Sequence, residues 1–176
     1  MQRPSVFRSV VLAVVGVLYA VAAGIMFWPT RGLAAQVFAY CGQAPLDARP
    51  GWTGADATAL LIACGPAGQE AYREMATYDI AFPLLTAGVL ALFTLGARRP
   101  SGRGWLLLLP IALYLLADYA ENVVIWILLV VGQRLTPAVA LVGGSATTLK
   151  WSALALSVAV LIGVIVRAQV RRGRDR

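Results

Sequence analysis

Apolar residues run along this chain in four long stretches, each bounded by proline, glycine or charge. The first spans about Val6 to Trp28 and stops at Pro29. The second spans about Asp79 to Ala97 and ends at Arg98 and Arg99, before a short turn at Pro100, Ser101 and Gly102. The third spans about Trp105 to Val131, and the fourth about Ala146 to Val166, which leads into a basic tail over 167–176. A helix crosses the hydrocarbon core with about 20 apolar residues. The pattern therefore predicts an all-α polytopic membrane protein, with four transmembrane helices forming one bundle and one domain over 1–176. A cleaved signal peptide is the weaker reading of the first stretch, although Ala20, Ala22 and Ala23 offer small residues for cleavage. The run outlasts the ~7 to 15 residue core of a signal peptide.

Between the first two stretches lie residues 29–78, too many for a mere connection. Breaks fall at Gly42, Pro45, Arg49-Pro50-Gly51 and Gly65-Pro66. They leave two helical candidates, Ala55 to Ala63 and a second that starts at Pro66, carries Glu70, Arg73 and Glu74, and could run unbroken into the second span. The segment is expected to form a helical lid over one end of the bundle. Both cysteines, Cys41 and Cys64, lie in it. A disulfide between them would close the 22 intervening residues, removing loop entropy worth roughly 3 kcal/mol. Two unpaired buried thiols are the alternative.

Composition sharpens the picture. The chain is 60% hydrophobic and 13% charged, with a net charge of +7. It has no histidine, which excludes imidazole-based triads, metal ligation and proton shuttles. Arg3, Arg8, Arg98, Arg99, Arg103, Arg167, Arg171, Arg172, Arg174 and Arg176 flank one side of the four spans. Arg31, Arg49, Arg73 and Arg134 flank the other, and Lys150 lies inside a span. The ten-to-four split predicts a bacterial inner-membrane protein with both termini cytoplasmic and the loop outside. It also accounts for the basicity without nucleic acid, through the positive-inside bias and anionic headgroups.

The third span carries Asp118, Glu121 and Asn122. The sixteen Leu, Ile and Val residues between Leu106 and Val131 favour insertion by about 5 to 10 kcal/mol, and two central carboxylates cost up to about 5 to 7. These groups must therefore face partners or water. Spacings of three and four put Tyr114, Asp118, Glu121, Asn122 and Ile125 on one helix face, directed into the bundle. Asp79, beside Tyr78, opens the second span. Pro83 cannot donate to the Asp79 carbonyl, so side chain and backbone are both free acceptors. Lys150 enters the fourth span with Thr147 on its face and Trp151 next to it. Counted from the loop side, Lys150 and Asp79 lie within a turn or two of the surface and Glu121 roughly 13 Å below it. On that count Asp118 is the carboxylate farthest from Lys150.

Tyr78-Asp79-Ile80-Ala81-Phe82-Pro83, Asp118-x-x-Glu121-Asn122 and Leu149-Lys150-Trp151 follow one another on spans two, three and four. The combination resembles an uncharacterised family of small four-span bacterial membrane proteins over roughly Gly51 to Val166. The resemblance implies the topology and no activity, and its pattern has no cysteine pair.

Three roles for the cluster follow from the residues. One lysine among Asp79, Asp118 and Glu121 leaves excess negative charge, so protons or a cation must balance it. This favours a protonation-linked binding or transport site for a cationic or amphiphilic small molecule or lipid. A polar clamp that only holds helices together, in a structural or assembly subunit, is the second role. The third is a lipid-modifying enzyme using Asp118 and Glu121 as acid and base, for which no activated nucleophile is evident. No cofactor is expected, nor a metal site, since the oxygen ligands are few and spread. The ridge of Gly16, Ala20 and Gly24 on the first span reads as helix packing, and oligomeric state stays open.

Overall fold

The computed structural model of the chain describes residues 6–97 and 104–174, and every regular element among them is helical. The elements are α1 (Val6–Phe27), α2 (Leu33–Cys41), a 3-10 turn at Leu46–Ala48, α3 (Gly54–Tyr78), α4 (Phe82–Ala97), a 3-10 turn at Gly104–Leu108, α5 (Leu109–Val131), a 3-10 turn at Gly132–Arg134 and α6 (Pro137–Arg174). Arg3, Arg98, Arg99, Arg103 and Arg176, which carry part of the charge asymmetry, lie outside the described residues, as does the turn at 100–102. Four helical segments are long and apolar enough to cross a membrane, and they pack as a bundle.

Local chemistry sets the boundaries. Thr53 caps α3: its hydroxyl accepts from the Asp56 N–H at 3.3 Å while the Asp56 carboxylate accepts from the Thr53 N–H at 2.7 Å, so two end donors are satisfied reciprocally. Halfway along, α3 kinks at Gly65, whose φ of 57° favours glycine, and Pro66 follows without an N–H. The Gln69 side chain bridges the kink by donating to the Leu61 carbonyl at 3.1 Å. The helix does not run on into the second span. A turn over residues 79–81 separates α3 from α4, and Pro83 sits in the first turn of α4, where its missing N–H costs little. A further short helix that no apolar period announces, α2, packs on α3 and is joined to it by the Cys41–Cys64 disulfide.

The most extensive helix interface is between α5 and α6, and α4 packs on both. At the edge, α1 packs on α4, with Val10, Val14, Val17, Leu18 and Val21 more than half exposed. A helix apolar on all faces suits a lipid environment. Two apolar cores result. One, under the loop, gathers Met26, Val37, Leu46, Trp52, Leu60, Tyr72, Met75, Ile125 and Leu128. The other, farther along the bundle, gathers Ala87, Leu90, Ile111, Tyr114 and Ala153. Along α5 and α6 the buried charged residues, with Asn122 and Thr147, fall between these cores.

Candidate functional site

The chain's single lysine stands at the centre of this polar layer, and four of its eight acidic residues surround it. On α5, Asp118 and Glu121 are one turn apart and both face α6. Lys150 Nζ lies 3.4 Å from Asp118 Oδ1 and pairs directly with Glu121 Oε2. Glu121 is fully buried, and its other oxygen accepts from the Thr147 hydroxyl, one turn before Lys150 on α6. This corrects the depth count, which made Asp118 the farthest carboxylate. Side-by-side packing of α5 and α6 brings both acids level with one ammonium.

Asp79 enters from the turn between α3 and α4. Its carbonyl, left without a helical donor by Pro83, accepts from Asn122 Nδ2 at 3.2 Å, and the same amide donates to Asp118 Oδ2 at 3.3 Å. The next carbonyl, Ile80, accepts from the Tyr119 hydroxyl at 2.9 Å. The broken backbone between two helices is thus stitched to α5 by two side chains, which supply the donors that the missing helical bonds would have given. The Asp79 carboxylate is buried, yet among the described residues no cation lies within ion-pair distance of it.

Sequence reasoning missed Asp47. It lies in the 3-10 turn of the loop, and Lys150 donates to its carbonyl at 3.1 Å. Tyr72 donates to Asp47 Oδ1 at 3.1 Å and accepts from the Leu46 N–H at 3.2 Å. The following residues lie as a strap along α6. Thr148 donates to the Pro50 carbonyl at 3.1 Å, the Trp52 ring fills the space over Gly143, and the Trp52 backbone lies against Gly144. A methyl group at Gly143 would stand 2.7 Å from Val124 Cγ1 and overlap the Trp52 ring. The sequence offered no spacing signal for Asp47, since its approach depends on this docking.

Beside the layer lies a cavity of about 610 Å³, within the usual range for small-molecule sites. Asp47, Asp79, Asp118 and Lys150 line one end, and Val89, Leu90, Leu154 and Val158 line the other. Tyr19, Phe27, Phe82, Thr86, Tyr114 and Trp151 complete the wall. Phe82 stacks with Tyr19 at 5.7 Å and meets Phe27 edge-on at 5.4 Å. Trp151 lies under the ammonium, with its ring centre 5.6 Å from Nζ.

Of the expected site residues, Asp79, Asp118, Tyr114, Lys150 and Trp151 line this cavity. Glu121, Asn122 and Thr147 stand behind the wall and hold the lining residues in place. Tyr78 is about half exposed and is not part of the lining. Among the described residues no three carboxylates or thiolates converge closely enough to hold a metal ion. No family model, curated protein or solved structure matches the chain. The chain is a candidate multi-span membrane protein with buried Asp, Glu and Lys ion pairs.

Proposed function

We propose that this is an inner-membrane protein which binds a cationic ligand at the acidic end of the cavity in exchange for protons. The ten-to-four split of flanking bases supports an orientation with the termini in the cytoplasm and the loop outside. The site is then reached from the outer half of the membrane. Such a site serves uptake, export or sensing of the cation equally well.

One observation carries the reading. A single ammonium stands among buried Asp79, Asp118 and Glu121, which leaves two formal negative charges in a buried place, and the half-buried Asp47 adds a third beside them. Only protons or a bound cation neutralise such an excess at tolerable cost. The roles divide by position. Glu121 has Lys150 and Thr147 as partners and acts as scaffold, whereas Asp79 faces the cavity without a cation among the described residues and is the ligand's carboxylate.

Decyltrimethylammonium tests this, because its charge does not change with pH and any pH dependence belongs to the protein. Binding to protein in lipid nanodiscs is expected to strengthen as pH rises, since protons and the cation compete for the same carboxylates. Asp79→Asn is expected to weaken binding at least tenfold at neutral pH while the far-UV CD spectrum stays unchanged. Equal affinity in wild type and Asp79→Asn would leave the polar layer as a clamp between helices.

A further inference from the structure

The cavity is polar at one end and apolar at the other. Between Lys150 and Val158 on α6 its wall changes from ammonium and carboxylate to aliphatic over about 12 Å at 1.5 Å per residue. On α4 the same change runs from Asp79, just before the helix, to Leu90. A small hydrated cation has no use for the apolar half. A hydrocarbon chain does.

The cavity is not enclosed, and part of its lining is exposed. Both α1 and α6 pack on α4, but among the described residues they do not form an extensive interface with one another. Lining residues from those two helices keep accessible surface: Phe27 is 51% exposed, Trp151 40% and Val158 41%. Val158 lies near the middle of α6, well away from either end of the membrane stretch. At the loop end, by contrast, the strap carrying Asp47 is bonded across α6 by Lys150 and Thr148.

We infer that the cavity is a slot entered sideways from the bilayer between α1 and α6, and that its cation is the ammonium of a single-chain amphiphile. Its head lies among Asp79, Asp118 and Asp47, and its tail lies along Leu90, Leu154 and Val158. The head assignment rests on the function proposed above, whereas the tail and the route rest on the shape of the cavity. A phosphate-bearing aminolipid would set its own negative charge beside Asp47 and Asp79, so the site selects an alkylammonium over a phospholipid.

A decyltrimethylammonium carrying a diazirine on its terminal carbon, photolysed with the protein in nanodiscs, locates the tail. Label is expected on peptides containing Leu90, Leu154 or Val158, and excess unlabelled decyltrimethylammonium is expected to remove it. Val158→Trp, placed at the partly exposed mouth, is expected to cut that labelling at least tenfold with wild-type thermal stability. Lysophosphatidylethanolamine is expected to compete at least tenfold less well than dodecylamine. Label on the strap residues 46–52 would overturn the sideways slot, because the tail would then point out of the loop end. Equal competition by the phospholipid would overturn the charge selection. If tetramethylammonium binds as tightly as the decyl compound and no tail label appears in the cavity, the amphiphile is wrong while the cation site stands. If neither cation binds, both readings fall.

Discussion

Replacing Lys150 by Met keeps the aliphatic stem and removes the ammonium from three acceptors at once. These are Glu121, Asp118 at 3.4 Å and the Asp47 carbonyl at 3.1 Å. The side chains of Lys150 and Asp118 are 7% and 6% exposed, and that of Glu121 is 0% exposed, so water cannot take the ammonium's place. Removing one partner of a buried ion pair costs about 3 to 5 kcal/mol. The lost hydrogen bond to the Asp47 carbonyl is counted within that figure, because the same ammonium makes it. For a chain of this length, about 2 to 4 °C of melting temperature corresponds to 1 kcal/mol. Lys150→Met is therefore expected to lower the melting temperature by about 6 to 20 °C, read by near-UV CD of the tryptophans in nanodiscs. Adding Glu121→Gln should restore more than half of the loss, because glutamine keeps an acceptor for Thr147 and removes the stranded charge. A single variant within about 1 kcal/mol of wild type, or a double variant no better than the single, would refute the claim that Lys150 and Glu121 form the scaffold pair.

Three further outcomes follow from other parts of the molecule. Gly143→Leu is expected to push Trp52 off α6 at a cost of about 1 to 3 kcal/mol, seen as a red shift in Trp52 emission when the other tryptophans are replaced; unchanged emission would contradict the docked strap. Intact-mass analysis of unreduced, alkylated protein should show no alkyl additions, and Cys41→Ser with Cys64→Ser should lower stability by about 2 to 4 kcal/mol; two additions would remove the disulfide from the account. Because Cys41 and Cys64 are buried, orientation is better read with Glu70→Cys, whose native side chain is 75% exposed. Placed in the cysteine-free variant, it should react with a membrane-impermeant maleimide in whole cells, whereas protection until the membrane is opened would invert the topology.

The parts of the site legible in the sequence are those fixed by helical spacing and by proline. Asp118, Glu121 and Asn122 share a face by spacing alone, and Pro83 announces the free Asp79 carbonyl that Asn122 occupies. Thr147 lies one turn before Lys150, and both reach Glu121. Other features depend on how elements dock. Asp47 lies in a loop with no periodicity, and it reaches Lys150 because Trp52 settles over Gly143 and Gly144, which read in sequence only as two small residues. Depth counting failed for Asp118 because it treated each helix separately, whereas the packing of α5 on α6 sets the level at which their side chains meet. The short α2 is apolar at eight of its nine positions, so no period shows, and its place comes from packing on α3. The cavity is lined by residues of α1, α4, α5, α6 and the loop, elements far apart in sequence, and no local pattern announces it.

The central claim is that excess carboxylate charge in the cavity is neutralised by protons when empty and by a cation when occupied. Its most direct test is the number of protons released per cation bound. Titration calorimetry of decyltrimethylammonium into nanodisc-embedded protein, repeated in two buffers of different ionisation enthalpy, gives that number. Wild type is expected to release a measurable fraction of a proton, up to one per cation, near neutral pH, and Asp79→Asn with Asp118→Asn to release none. Saturable binding without proton release in wild type, or release that persists in the double variant, would contradict it.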